Sequence, residues 1–451
     1  MDENLIKSKI NIKWSYFIAG IIFKIALDLC FCGPIQTYFS SSFPLDISIH
    51  KIVVSYIATI IMIMMLPSKN NLVSLYIVVV LFYIIIPLTT IYAYMNTSSV
   101  YFITIIVTYL LIEVCVVMLP MNPKKIVFSG MNLSRLIEDG SAIFILFTTV
   151  VLFQYRGIPN LDAFNLYDVY ELRSSYSLPA WIRAIYNISS KTLIPFVVSI
   201  SLYRKKYIKA IAFLFIQLLF FMWLGNKITL LGVFIVPAVY FVTKHKENIT
   251  PIIIKILVIG VIGVSLLLFI VGYVSPEMNR AIVYAFGLFV RRNIFVPAYL
   301  KTCYYDFFVV KGNPLIGFFS TLVAPILSWI GIDYPYASEG SFTRAVGMIY
   351  AQESNANTGI FGRELAHFGF AGIFVAAICF VIILYAIRCS EQRNNRNLIL
   401  CITIYNILLL NNSGSIEIIN ISPTLIMILI LLVFDEKHVS KRKVFLSSKK
   451  E

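Results

Sequence analysis

Long apolar runs recur along this chain at short intervals, and no other feature restricts its fold so strongly. A run of about 20 apolar residues crosses the hydrocarbon core as one helix, and it is too long and too uniformly apolar for a barrel strand. Such runs fall at roughly 14-31, 50-66, 72-94, 100-120, 141-155, 186-203, 207-224, 228-243, 251-274, 364-387, 397-411 and 417-434. The composition agrees, being 59% hydrophobic and only 13% charged, where a soluble domain has about half and about a quarter. The expected fold class is an all-α polytopic membrane protein, a single integral domain over 1-451 with about 12 transmembrane helices.

The net charge is +15, but the basic residues sit between the runs and not on one face, so nucleic acid is not an expected partner. "MDENLIKSKINIK", "PSKN", "YRKKYIK", "TKHKEN", "RCSEQRNNRN" and the tail "DEKHVSKRKVFLSSKK" alternate with short loops such as "YMNTSS" and "NNSGS" that carry no Lys or Arg. By the positive-inside rule, both termini are expected in the cytoplasm. The basic N-terminus has no small-residue cleavage site after its first run, which reads as a retained span. Seven cysteines without a CxxC pair suggest neither a metal centre nor a disulfide framework.

This orientation leaves two sizeable segments outside, a medium loop at 156-185 and a long one at 275-363, before the last three spans. Within the long loop, "NPLIGFFSTLVAPILSWIGI" (313-332) is apolar but broken by Gly and Pro. A single extra span there would invert the C-terminal part, so an interfacial or re-entrant helix is expected. Two extra spans, with 281-300 as the second, would restore parity but bury Arg291 and Arg292, which is costly.

At the outer mouth of the tenth run stand Arg363, Glu364 and His367. Residues four apart share a helix face, so Arg363 and His367 point the same way, and Glu364 is three residues before His367 and within reach of its ring. A base with an orienting acid and a cation beside it is a plausible catalytic set, although side chains at a helix end also snorkel to headgroups. The outer loops add Arg173, Arg280, Arg291, Arg292 and Arg344, whose planar forks match phosphate oxygens, with Arg173 and Arg344 favoured for a diphosphate. The Trp and Tyr residues of these loops suit sugar rings, and equally an interfacial belt.

There is no GxxxxGK[ST] loop, no HExxH and no Asp-x-Asp pair, so the expectation is a metal-independent reaction without cofactors on a lipid-borne substrate. A transport path is the other reading of charges inside the runs: Lys24 with Asp28, Glu113, and the break at Asn226 and Lys227. Lys24 and Asp28 are spaced to neutralise each other.

The stretch "NANTGIFGRELAHFGFAGIF" (355-374), together with the number of runs, the medium and late long outer loops and the cytoplasmic ends, resembles the Wzy-type O-antigen (oligosaccharide repeat unit) polymerases. That resemblance implies a GT-C-like glycosyltransferase of the bacterial inner membrane, working at the periplasmic face on undecaprenyl-diphosphate-linked glycans. It implies transfer of the growing chain to a new lipid-linked repeat unit in lipopolysaccharide biosynthesis, with a Wzz-type chain-length regulator and a Wzx-type flippase as partners among membrane lipids. The expected roles are His367 as base, Glu364 as its orienting group, and Arg363 with Arg173 and Arg344 on the diphosphate. Two alternatives share the layout: an O-antigen ligase, and a lipid-linked oligosaccharide flippase, which is a transporter.

Overall fold

The computed structural model describes residues 3–67, 71–118, 131–164, 178–244, 250–271, 280, 282–284, 286–317, 331, 333–351 and 355–436. Their helices, in chain order, are α1 (Lys13–Ser42), α2 (Ile49–Met65), α3 (Leu72–Tyr94), α4 (Ser99–Met118), α5 (Leu133–Arg156), α6 (Ala180–Tyr203), α7 (Tyr207–Leu224) and α8 (Lys227–Thr243). They continue with α9 (Thr250–Val271), α10 (Val296–Tyr305), α11 (Phe342–Tyr350), α12 (Arg363–Glu391), α13 (Arg396–Ser413) and α14 (Pro423–Val433). Among the described residues there is no strand, only one isolated bridge between Asp46 and Met95. Seven helices, α1, α3 to α7 and α12, are long and apolar enough to cross a membrane. The molecule is thus an all-helical membrane protein.

Burial separates interior from lipid-facing helices. The apolar stretch of α3 is 94% buried and that of α6 is 83% buried, against 33% for α5 and α7, so α3 and α6 form the centre. Polar side chains bind the interior helices to one another, since apolar faces gain little over lipid by pairing. Tyr76 of α3 meets Thr403 of α13, the Tyr405 hydroxyl donates to the Ile228 carbonyl at 2.7 Å, and Gln217 Nε2 donates to the carbonyls of Ser190 and Thr229 at 3.0 and 3.1 Å.

Prolines shape three of these helices. Pro87, Pro195 and Pro297 each follow a turn widened to π geometry, at Leu81–Ile85, Ser189–Leu193 and Gly287–Phe295. Proline has no N–H for the carbonyl four residues back and its ring pushes that carbonyl away, so the helix opens there. For Pro195 and Pro297 the carbonyls released belong to Lys191 and Asn293. Both are recovered by side chains of α13: Asn406 Nδ2 donates to Lys191 O at 3.0 Å and Asn411 Nδ2 donates to Asn293 O at 2.8 Å. A buried carbonyl left without a donor would cost about 1–3 kcal/mol. α13 is therefore held at two heights by asparagines fitted to two proline breaks.

Hydrogen bonds sort the helix ends into two faces. At one face, Asp46 N donates to Tyr94 O at 2.9 Å, Lys51 Nζ to Thr97 O at 2.6 Å, and Tyr101 Oη to Phe361 O at 2.7 Å. At the other, Leu72 N donates to Glu391 at 2.8 Å, Asn397 Nδ2 to Thr243 O at 2.9 Å, and Arg204 clamps Glu436 and Glu138 at 2.6 Å each. The described parts of the long segment before α12 pack at the first face. The expected helix over 313-332 lies largely outside the described residues. Helix α6 begins at Ala180, inside the segment 156-185 expected as the medium loop; residues 165-177 lie outside the described residues.

The residues considered for a transport path differ in how they are held. Lys24 and Asp28 close on each other at 2.6 Å, with Thr90 donating to the same oxygen at 2.8 Å. Asn226 caps α8, its side chain accepting from Ile228 N. Glu113 is buried in α4, with no hydrogen bond at either carboxylate oxygen among the described residues.

Candidate functional site

The segment leading into α12 is fixed by close backbone approaches. Gly359 lies so near the end of α13 that a Cβ there would stand 2.0 Å from Leu410 O, and Ile360 N donates to that carbonyl at 2.7 Å. Phe361 takes φ +68°, a conformation that costs a bulky residue about 1–3 kcal/mol. Its carbonyl is held there by Tyr101 Oη. The helix itself breaks at Gly369, with φ +56°, and resumes at Gly372, where a Cβ would meet Glu364 O at 2.1 Å. The outcome is a short, rigid stub, residues 363 to 368, that presents three ionisable side chains.

Arg363 and His367 share a face, as their spacing predicts. The Arg363 guanidinium lies over the Phe342 ring at 5.5 Å, and the His367 ring meets the same phenylalanine edge-on at 6.2 Å. Phe342 is delivered by α11, whose first turn is capped by the Ser341 side chain and whose Phe342 N–H donates to Tyr334 Oη at 3.0 Å. Arg363 is 26% exposed and faces Glu417, 20% exposed, at 3.5 Å.

Glu364 does not orient His367, in contrast to the expectation from spacing. Its Oε1 accepts from Ser415 N at 2.6 Å, Ser415 Oγ at 2.9 Å and Ile416 N at 3.1 Å. The carboxylate thereby closes the turn between α13 and α14, where Gly414, at φ +73°, leaves room for it. The partner of His367 is instead the Gly317 carbonyl, 2.6 Å from Nδ1. A carbonyl accepts only, so Nδ1 carries the proton and the lone pair is on Nε2. Backbone bonds from Ile316 N to Ala366 O and from Gly317 N to His367 O, at 2.8 and 3.1 Å, hold that carbonyl in place.

The arginines are dispersed. Arg344 is exposed on α11, two residues after Phe342. Arg291 lies against the Phe39 ring of α1 at 4.5 Å, while Arg292 and Arg280 are exposed. Arg173 lies outside the described residues. The arginine that the structure joins to the His367 face is Arg363.

Three residues not singled out from the sequence complete the site. Lys301 of α10 is fully buried, donating to Asn411 Oδ1 at 2.8 Å and Pro297 O at 3.2 Å, and its stem runs beneath Gly362, whose Cβ position is 3.0 Å away. Burial pushes its ammonium down to about 7, opposed by the charge of Glu364. Helix α10 is outside the seven helices apolar enough to cross a membrane. Glu417 sits on the turn Ile416–Ile419. Lys191 is half-buried in the π turn of α6, close enough to Arg363 and Glu417 to feel both charges. Its signal in the sequence was a lysine inside an apolar run, four residues before a proline.

Farther out, Tyr350 bonds to Asp306 and accepts from Lys311 Nζ at 2.6 Å, and burial pushes its hydroxyl up to about 12, so it stays protonated near neutral pH. Among the described residues, no three of His, Cys, Asp and Glu gather as a metal site would require.

Fold and site together define an all-helical membrane protein with a cluster of cations, a carboxylate and a histidine at one face. No protein-family model matches the chain, and no curated protein and no solved structure compared with it is similar.

Proposed function

We propose that the chain is a Wzy-type oligosaccharide repeat unit polymerase, with about 12 spans in a GT-C-like arrangement and its Arg363 face at the periplasmic side of the inner membrane. One observation carries the reading: Arg363 and His367 lie on one face of a rigid stub, in contact with the same aromatic ring, and the histidine lone pair is on Nε2. A sugar hydroxyl is a weak nucleophile, so a positioned base accelerates its attack. In the reaction proposed, the hydroxyl of a new lipid-linked repeat unit attacks the anomeric carbon of the growing chain as His367 Nε2 takes its proton. The bond from that carbon to undecaprenyl diphosphate breaks, and the diphosphate leaves with the electron pair. A fixed guanidinium answers that developing charge without reorganising. Phe342 gives the sugar an apolar surface beside both groups.

Glu364 enters as a structural acid that fixes the stub. Arg344 is close along α11 and is the next diphosphate contact, with Arg173, Arg280, Arg291 and Arg292 as further ones. Wzz-type and Wzx-type proteins are the partners this reading brings with it. The test is the lipopolysaccharide ladder of a strain lacking the gene. A polymerase leaves core plus a single repeat, and complementation restores the ladder. Loss of even the single-repeat band favours a ligase or a flippase and overturns the proposal.

A further inference from the structure

His367 is the base of the proposed reaction, yet only 4% of its surface is exposed, too little for a sugar to lie against it. The ring beside it is Phe342, which meets His367 edge-on and also lies under the Arg363 guanidinium. Phe342 is carried by α11, and α11 is fastened lightly. On the face it packs, α11 buries Phe342, Ala345, Val346 and Gly347, while Arg344, Met348 and Ile349 are exposed. Apart from Phe342 and Val346, the packed residues have little or no side chain, so moving the helix gives up little apolar burial. Gly340, just before the cap, has φ +76° and no other group within 4 Å of a Cβ position, so the chain can turn there without a clash.

Polar bonds do the fastening. At the first turn, Ala356 N donates to Thr343 O at 2.9 Å and Phe342 N to Tyr334 Oη at 3.0 Å. At the far end, Tyr350 Oη donates to Asp306 Oδ2 and accepts from Lys311 Nζ at 2.6 Å, and Lys311 pairs with Asp306 at 3.1 Å. The Lys311 and Asp306 side chains are 48% and 40% exposed, so water can replace each bond of this clasp, and exposed pairs of this kind add little to the fold. Both residues follow α10, whose Tyr304 ring abuts Phe342 at 6.2 Å.

We propose that α11 is a lid over Arg363 and His367, shut in this structure, and that Tyr350 with Asp306 and Lys311 is its latch. Rotation of α11 about the bond between Thr343 and Ala356 carries the Phe342 ring off the histidine and admits the sugar between them. Closure afterwards excludes water, which would otherwise take the place of the acceptor hydroxyl. The purpose of the lid rests on the polymerase reading, and its existence does not.

Diethyl pyrocarbonate acylates an unprotonated imidazole nitrogen, here Nε2, so its rate at His367 reports how often the lid opens. The rate is measured by peptide mass spectrometry on the purified full-length protein in detergent. The exposed His50 is the internal reference, and the thermal midpoint of each variant is the control for folding. In the wild type, His367 is expected to react about tenfold or more slowly than His50, as a group reached only by local opening. Tyr350→Phe removes one hydroxyl and should quicken His367 by about three- to tenfold, the worth of one or two hydrogen bonds, with His50 unchanged. Lys311→Met, at an exposed side chain, repeats the latch test without touching the packing and should act in the same direction. Phe342→Ala removes the cover and should quicken His367 at least as much.

A wild-type His367 as reactive as His50 overturns the lid. So does a rate that Phe342→Ala leaves unchanged, or that both latch variants leave unchanged. A strain that keeps its ladder without this gene, combined with the expected order of rates, removes the polymerase reading and leaves the lid standing. A lost ladder with His367 indifferent to these substitutions does the reverse.

Discussion

Two ion pairs in this protein place the same chemistry in different surroundings. Lys24 and Asp28 lie one helical turn apart in α1, bonded at 2.6 Å and almost completely buried, with Thr90 donating to the shared oxygen. The rings of Tyr56 and Tyr94 cover the ammonium at 5.1 and 5.9 Å. Arg363 and Glu417 come from distant parts of the chain, stand 3.5 Å apart and keep about a quarter and a fifth of their side chains exposed. The first pair is buried, each charge answering the other at Asp28 Oδ1, while Asp28 Oδ2 has no hydrogen bond among the described residues. The second is looser and keeps part of both side chains exposed. A charge held inside a membrane protein is thus structural or functional according to whether its partners complete it, and not according to its cost alone.

That contrast can be broken experimentally, and the largest effect belongs to the buried pair. Lys24→Met strands Asp28 in the interior and is expected to cost about 3–5 kcal/mol of stability. A Lys24→Met/Asp28→Leu double variant should recover most of it, read as the thermal midpoint in detergent. If the double variant falls as far as the single, the pair is more than a structural unit. At the looser pair the effect should appear in activity instead. Arg363→Ala is expected to reduce polymer formation by about a hundredfold or more at normal protein levels, and a full-length ladder from this variant would remove Arg363 from the reaction.

Lys301 tests the boundary between the two kinds of site. Its ammonium sits at about 7 in the folded protein against 10.5 ordinarily, so between those values the unfolded chain binds more protons than the native one. Stability should therefore rise with pH across that window, with the destabilisation fully present below it. From pH 7.5 to 8.5 the gain is about 1 kcal/mol, or about 2–4 °C in the midpoint. Lys301→Met should lose that slope, and an unchanged slope would show that Lys301 does not titrate there. The smallest effect is expected at the exposed Arg292, an outlying diphosphate contact in this reading, where Arg292→Ala should change polymer yield by less than about threefold. A larger loss would make it a principal contact.

Much of the fold could be read from the chain because it depends on local pattern. Apolar length alone locates α3, α4 and α7 to within a few residues. The ends of α1, α5 and α6 extend past the apolar runs, because polar residues continue a helix once its hydrogen bonds are begun. The candidate site was legible only where spacing decides contact. Arg363 and His367, four apart, do lie together. Glu364 and His367, three apart, do not pair, because Ser415 and Ile416 offer the carboxylate three donors that sequence distance conceals. Lys301 meets Asn411 across 110 positions, which no periodicity reveals.

The sequence by itself determined that this chain is a set of membrane-crossing helices and that one helix begins with a cation and a histidine on a common face. These follow from hydrogen-bonding demands that every backbone in hydrocarbon must meet within its own helix. Which carboxylate faces which cation was decided only by the tertiary structure. The energy of a buried charge depends on all the groups around it, and those come from helices far apart in the chain.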